Sequence, residues 1–514
     1  MFNRFLKNNS LSVSLCIFSG LSIITLFLYF VNLDNYFLSD DWFFLFKATS
    51  AKGIVDIFKV AFDWKSGWFL RPMQFLFTWV LCEIFGINTF YFHLTILFIH
   101  IFNSFLISFI TFKLYKHQYI SKRYRIIISS FVGFLFFGNF HHNEALFWYS
   151  AFNEPLCALF QFSALFFVLL ILNNSTKLFK KKVLYFNVFF LFSMALLTKE
   201  SSIVFFPLVF ITILLIHHSK KRKYRISYLM NYVRILYPIF LILIGWIIIY
   251  LLSSNNLLLD TAKKTNSDIE RGLSYRYTSG FVSYLFKSFS LDQSYISNIG
   301  FSNIIFIIIA FIVVTFIVIA FIRKRYIIIW SIVWISLIIF PYVVYNPYPE
   351  DRFLYIIIAP ASICIIELIA WCFSEISLVR NIQSFREPVL LTLIICTVLM
   401  AFNLIILYKI QADWRVASKK VRSILSYFER DPYFFPKNAL ICLDDIPDSY
   451  IGKYFIFRNA ISEAILLVTK RNDLRIRANV LPPTEHHIRN ILNREGCDFV
   501  FIFNDHLNEL IIEK

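Results

Sequence analysis

Long apolar runs recur from residue 11 to residue 408 of this chain, separated by short turns that carry clusters of Lys and Arg. A helix needs about 20 apolar residues to cross a bilayer. Inside lipid each backbone amide and carbonyl must be paired within the protein, and long uninterrupted apolar runs achieve this as helices. The composition agrees. With 58% of its residues hydrophobic and 16% charged, a chain of 514 residues lacks the polar surface of a soluble globule. Its 63 Phe and 27 Tyr suit lipid-facing helices and interfacial belts.

The basic clusters set the orientation. A formal net charge of +18 would by itself suit a nucleic-acid binder. However, Lys122-Arg123-Tyr124-Arg125, Lys180-Lys181-Lys182, Lys220-Lys221-Arg222-Lys223 and Arg323-Lys324-Arg325 lie between apolar runs. That is the pattern of cytoplasmic loops facing anionic headgroups, so the expected partner is the lipid bilayer and not nucleic acid. Arg4 and Lys7 place the N-terminus inside. The first span, Leu11–Val31, lacks a small-residue cleavage site and reads as an uncleaved anchor. It delivers residues 32–88 to the outer face. Pro72–Phe85 is apolar but short, and counting it as a crossing would put the basic stretch 113–125 outside, so it is expected to lie in the interface.

Later crossings follow by alternation: Thr89–Phe112, Ile126–Phe140, Pro155–Leu172, Val183–Leu197, Ile203–Ile216, Ile235–Leu252, Ile304–Ile322, Tyr326–Tyr345, Phe353–Phe373 and Val389–Tyr408. The expectation is an all-α polytopic bundle of about eleven transmembrane helices over residues 1–410. Residues 411–514 then lie outside as a small α/β domain. In it, helix-like Trp414–Phe428 and Ala460–Thr469 alternate with strand-like Ala439–Leu443 and Phe499–Phe503. The eight Cys form no CxxC pair and no metal-ligand spacing. Cys442 and Cys497 fall in the outer part, where a disulfide between them is one option.

Four polar constellations fall on the outer face. The first is Ser39-Asp40-Asp41-Trp42, with Asp34, Asp56, Asp63, Trp64 and Trp68 in the same loop, followed by Arg71-Pro72. Adjacent carboxylates repel and resist desolvation, so a pair at the mouth of a bundle suggests chemistry. A solvated loop, or Asp40 capping a helix that begins at Asp41, is the competing reading. The second is His141-His142-Asn143-Glu144, with Trp148, Asn153 and Glu154 beyond. It reads as a polar surface for substrate or as an ordinary polar loop. Two His and a Glu can also ligate zinc, but no third spaced ligand follows, and neither metal nor cofactor is expected. The third, Lys199-Glu200-Ser201, sits between two apolar spans. A charge there costs about 3 kcal/mol at mid-bilayer, which makes it either functional or self-neutralised. The fourth is Glu350-Asp351-Arg352-Phe353-Leu354-Tyr355, where Arg352 opens an inward span from the outer side. It can grip a phosphate or simply pair with its neighbours.

At these residues the chain resembles the GT-C superfamily of integral-membrane glycosyltransferases, most of all its protein O-mannosyltransferase and aminoarabinose-transferase branch. Asp40-Asp41 matches the acidic pair of the first outer loop, although Glu is common at the second position. Arg71-Pro72 matches the basic residue and Pro that open a juxtamembrane helix. Asn143-Glu144, Lys199-Glu200-Ser201 and Arg352-Phe353-Leu354-Tyr355 match three further elements. The resemblance covers about residues 11–408.

The resemblance implies transfer of a hexosyl or pentosyl group from a polyprenyl-phosphate sugar donor to an acceptor at the outer face of a bacterial cytoplasmic membrane. The acceptor would be a lipid, glycan or protein; the tail lacks the TPR or MIR modules common in eukaryotic relatives. Asp40 is expected as general base with Asp41 orienting it. Lys199, Arg352 and Arg71 would bind the donor phosphate, and His142, Asn143, Glu144, Glu200 and Tyr355 the sugar or acceptor. Polytopic transporters and lipid-linked glycan flippases also have many spans and basic interior loops, but usually carry midplane charges and paired repeats, which this sequence does not display. A glycan polymerase or ligase and a non-catalytic scaffold are further alternatives.

Overall fold

The computed structural model describes residues 19–20, 23–62, 70–117, 122–172, 178–219, 226–253, 273–289, 315, 318–345, 349–379, 386–481, 496–504 and 509–513. After helical residues 23–30, helices α1 (Asp41–Ser50), α2 (Ile54–Ala61) and α3 (Pro72–Phe85) occupy the first long loop. Then come α4 (Thr89–Leu114), α5 (Lys122–Phe137), α6 (Asn143–Phe147), α7 (Asn153–Leu172), α8 (Leu178–Thr198), α9 (Phe205–Ser219) and α10 (Ile226–Ser253). Helices α11 (Leu273–Ser288), α12 (Tyr326–Tyr345), α13 (Ile358–Val379) and α14 (Arg386–Arg430) complete the bundle.

Among the described residues, seven helical segments are long and apolar enough to cross a membrane: α4, residues 149–172, 181–198, 200–217, 232–250, 326–344 and 394–430. Helices α5 and α13 contain shorter apolar stretches. Most of the expected crossing Ile304–Ile322 and the start of Leu11–Val31 lie outside the described residues, so the full eleven are not all accounted for. The remaining crossings fall on helices, α12 matching Tyr326–Tyr345 at both ends. Helix α3 has 14 residues, about 21 Å at 1.5 Å per residue, and is too short to cross upright. Pro72 occupies its first turn, where a missing N–H costs nothing.

The most consequential departure is α14. Its 45 residues extend about 68 Å, over twice the thickness of a hydrocarbon core. The boundary expected at 410/411 therefore falls inside one helix, and the chain enters the tail without a break. Past its apolar segment the helix continues as the spine of the C-terminal domain. The first loop runs along this spine. Asn32 Nδ2 donates to Gln411 Oε1 at 3.0 Å, and the Tyr36 amide donates to Ser418 Oγ at 2.6 Å.

The domain adds strands β1 (Leu440–Pro447), β2 (Ser449–Tyr450), β3 (Tyr454–Phe455), β4 (Arg475–Leu481), β5 (Phe499–Asn504) and β6 (Glu509–Ile512), with helix α15 (Ile461–Thr469). The four-stranded sheet has the order β4-β1-β5-β6. Strand β1 is parallel to both neighbours, and β5 and β6 are antiparallel. Ile441, Leu443 and Phe501 on the sheet join Val421, Leu425 and Phe428 of α14 in one buried apolar cluster that continues into the bundle. Cys442 and Cys497 form a disulfide tying β1 to the approach of β5. At the end of the bundle remote from this domain, the Tyr115 hydroxyl donates to buried Glu367, which also faces Arg325.

Candidate active site

One cavity of about 130 Å³ opens beneath the C-terminal domain. Asp40, Arg71, Glu154, Lys199 and Arg352 line it, with Phe43, Phe44, Phe75, Trp148 and Phe353 as aromatic walls and Ser150 and Asn153 as neutral polar groups. A carboxylate near the start of the chain and cations up to 312 positions later thus meet in one hollow.

Asp40 stands at the N-terminus of α1. Its carboxylate makes no capping bond to the helix, contrary to the capping reading. The backbone carbonyl alone receives the amides of Phe43 and Phe44, which leaves the side chain for the cavity. Asn459 Nδ2 donates to Asp40 Oδ1 at 2.8 Å. Ser39 just before it has φ 45°, a left-handed conformation unusual for a residue with a Cβ. Hydrogen bonds hold this turn: Ser39 N–H to the Ile456 carbonyl at 2.8 Å, and Trp148 Nε1 to the Leu38 carbonyl at 3.2 Å.

Asp41, expected as Asp40's catalytic partner, is turned into the protein and does not line the cavity. Its Oδ2 accepts from the Leu38 amide at 2.8 Å, and its Oδ1 accepts from the Ser150 amide and hydroxyl at 2.6 Å each. Burial pushes its carboxyl up to about 7, against the pull of these donors. Consecutive side chains at a helix start diverge, so one carboxylate faces the hollow and the other anchors the first loop to the second.

Each cavity cation is met by a carboxylate. Arg71, held out of the helix by the following Pro, donates to Glu200 from Nη2 at 2.8 Å and Nε at 3.4 Å. Lys199 pairs with Glu154 and lies 4.8 Å from the ring centres of Tyr342 and Phe353. Tyr342 in turn donates to Glu154 Oε2 at 3.1 Å. Arg352 donates to Glu144 from its amide and from Nη1, both at 3.0 Å, and pairs with Glu350. Its guanidinium carbon sits 4.9 Å from Trp148 and 4.8 Å from Phe353, in the range of cation–π attraction. Burial raises the Glu144 carboxyl, with Arg352 opposing it.

Asp351 is the hub behind Arg352. Its oxygens meet His141 Nδ1 at 2.9 Å, Asn143 Nδ2 at 2.8 Å, Lys287 Nζ at 2.7 Å and Lys453 Nζ at 3.6 Å. Burial alone would raise this carboxyl; Lys287, His141 and Lys453 outweigh it and hold it well below the usual range.

Three expected sugar or acceptor residues lie behind the wall instead of in the cavity. The His142 ring is buried against His100, Phe136 and Tyr355, with centroids 4.9, 4.6 and 4.6 Å away. Asn143 is spent on Asp351, the Phe140 carbonyl and the Trp414 indole. The Tyr355 hydroxyl contacts His100 Nδ1 at 2.7 Å and Asn103 Nδ2 at 3.1 Å. Glu144 and Glu200 also do not line the cavity; they hold the cations that do. His141 and His142 diverge, one to Asp351 and the other to His100. Among the described residues no three His, Cys, Asp or Glu side chains form a metal-ligating group. Ser150 and Asn459 were not singled out from the sequence, and Glu154, named with the second constellation, was given no individual role; it follows Asn153 at the start of α7, where its helix phase alone decides where it points. Asp63, Trp64 and Trp68 lie outside the described residues, and Asp56 pairs with Lys59 at the surface, 3.2 Å away.

No family model matches the chain, and no curated protein matches it in sequence. Crystal structures similar to it include the following three. The Archaeoglobus fulgidus oligosaccharyltransferase, tethered with an acceptor peptide containing the NVT sequon, aligns with a TM-score of 0.48 and 10% identity over 93% of this chain. ArnT from Cupriavidus metallidurans aligns in the apo state with a TM-score of 0.47 and 11% identity. Bound to undecaprenyl phosphate, it aligns with a TM-score of 0.45 and 10% identity; each ArnT alignment covers 89% of this chain and 85% of ArnT. The chain spans 64% of the oligosaccharyltransferase's own length.

Proposed function

We propose that this multi-pass membrane protein is a glycosyltransferase that moves a hexosyl or pentosyl group from a polyprenyl-phosphate donor to a hydroxyl on a lipid, glycan or protein acceptor. The observation that carries this reading is the shared cavity: one carboxylate with no cation paired to it among the described residues, Asp40, opposite three cations, Arg71, Lys199 and Arg352. Ordered motifs resembling those of the GT-C branch supply the same residues from the sequence side.

In this reading the acceptor oxygen attacks the anomeric carbon while its proton passes to Asp40. The bond from that carbon to the phosphate oxygen breaks, and its electron pair leaves with polyprenyl phosphate. A single displacement inverts the anomeric centre. Charge builds on the departing phosphate, where fixed cations in a dry site act most strongly. The Arg352 fork is braced by two rings and suits a phosphate oxygen pair. Lys199 is fixed deeper by Glu154, and Arg71 borders the aromatic wall. The C-terminal domain and cavity belong on the outer face. Basic loops at the opposite ends of the spans and a disulfide in the domain support that orientation, because disulfides persist in oxidising compartments.

The test uses the full chain in nanodiscs with a panel of labelled undecaprenyl-phosphate hexoses and pentoses and an envelope-lipid extract as acceptor. Wild type should release undecaprenyl phosphate and label the extract, and Asp40→Asn should do neither while remaining folded. Wild type inert toward every donor, yet moving one across a proteoliposome, would establish a flippase instead.

A further inference from the structure

We infer that Asn459, brought in by the C-terminal domain, is a positioning residue for the Asp40 carboxylate, so that this domain forms part of the reaction site. The inference rests on Asp40 acting as the base and adds a residue from the far end of the chain. Among the described residues, Asn459 Nδ2 is the one side-chain group hydrogen-bonded to that carboxylate, and no Lys or Arg pairs with it.

The segment around Asn459 is built to reach Asp40. The Ile456 amide donates to the Asp448 carbonyl at 2.7 Å, fixing the segment to its own domain. Its carbonyl accepts the Ser39 amide, one residue before Asp40. Phe455 lies 5.1 Å from Trp148, a wall of the cavity. Ala460 has φ 64°, a left-handed turn that ends the segment directly after Asn459 and starts α15, which packs on α1. Two left-handed residues, Ser39 and Ala460, thus flank the Asp40 to Asn459 contact, and neither is glycine. Such conformations persist where surrounding structure over-determines them.

The chemistry suits an amide. A cation at this place would neutralise the base and compete with the acceptor proton. A neutral N–H orients one carboxylate oxygen and leaves the charge in place. With Oδ1 tied to Asn459, Oδ2 is left for the acceptor hydroxyl. The C-terminal domain then sets the direction of the base, and an acceptor has to reach Asp40 beside residues 455–459.

The experiment uses the full chain in nanodiscs with the labelled donor that wild type turns over. Asn459→Ala should lower kcat about ten-fold, the scale of one hydrogen bond to a charged group, with KM for the donor unchanged. Asn459→Asp, the same shape with no donor, should lose at least as much, and Asn459→Gln should recover part. Unfolding temperatures and the Cys442–Cys497 disulfide should match wild type in all three. Wild-type kcat in both Asn459→Ala and Asn459→Asp overturns the inference, as does a loss that tracks donor KM and unfolding temperature together. Asp40→Asn separates the two levels. If that variant turns over normally, or wild type uses no donor, the underlying reading fails. If Asp40→Asn is inactive while the Asn459 variants are normal, only the positioning role fails.

Discussion

Lys199 is sealed against Glu154 beside the cavity, with 3% and 0% of the two side chains exposed. Opposite charges this deep stabilise each other only as a pair, because removing one leaves the other buried without compensation. Glu154→Ala should therefore destabilise the protein by about 3 kcal/mol. The double change Glu154→Leu with Lys199→Met should restore much of that loss. Thermal unfolding in detergent reads both; a Glu154→Ala protein that melts like wild type would show the pair to be dispensable.

Arg352 lies between Trp148 and Phe353 and is steadied by Glu144. Arg352→Ala should weaken binding of undecaprenyl phosphate by about 10- to 100-fold, the scale of losing charge-assisted hydrogen bonds. Arg352→Lys should recover little, since an ammonium has neither the planar fork nor the stacking faces. Titration of the lipid into the protein, followed by tryptophan fluorescence, gives the two constants. Equal affinity in Arg352→Ala and wild type would remove Arg352 from the phosphate site.

Asp41 makes stability depend on pH in an unusual direction. Its folded-state carboxyl lies near 7 against 3.8 unfolded, so the folded protein binds this proton more tightly. That contribution is fully present below about pH 4 and is lost as pH rises through about 7. Asp41→Asn removes the titration but places an NH2 against the donor of either Leu38 or Ser150. The variant should melt lower than wild type at every pH, with the gap narrowing as pH rises from about 4 to about 7. Unfolding temperatures across that window decide it; a constant gap would place the titration elsewhere.

The disulfide joins residues 55 apart in sequence. Closing a loop of that length stabilises the folded state by up to about 4 kcal/mol in the chain-entropy account. Paired Cys442→Ser and Cys497→Ser should lower the unfolding temperature of the C-terminal domain. Because residues 455–459 border the site, the change should also reduce turnover. Limited proteolysis of the domain, read beside activity, tests the link; intact activity with a loosened domain would break it.

The spans were legible because hydropathy and loop charge act locally: α12 agrees with the expected Tyr326–Tyr345 at both ends, and the short Pro72–Phe85 run is a helix of its own. Strands β1 and β5 and helix α15 followed in the same way from short apolar runs. Helix-like Trp414–Phe428 was legible, but its unbroken continuity with the span ending near Tyr408 was not. The apolar character of α14 fades there, yet Ala412, Arg415, Ala417 and Lys419 are good helix formers and packing on the sheet supports the rest. His142, Asn143 and Tyr355 were placed by their end of the bundle, and the structure sets them behind the cavity wall. Sidedness fixes depth but not azimuth, and all three point into the packed interior.

By itself, then, the sequence determined which segments are apolar enough to span, where the basic loops fall, and that Asp40, Arg71, Lys199 and Arg352 gather at one end. Those are consequences of transfer energy and charge, which each segment carries alone. Only the tertiary structure decided that Asp40 faces the hollow while Asp41 does not, that Glu154 holds Lys199, and that Asn459 reaches back across 419 positions to Asp40. Side-chain direction depends on helix phase and on neighbours supplied by distant segments, and no local run of residues contains that information.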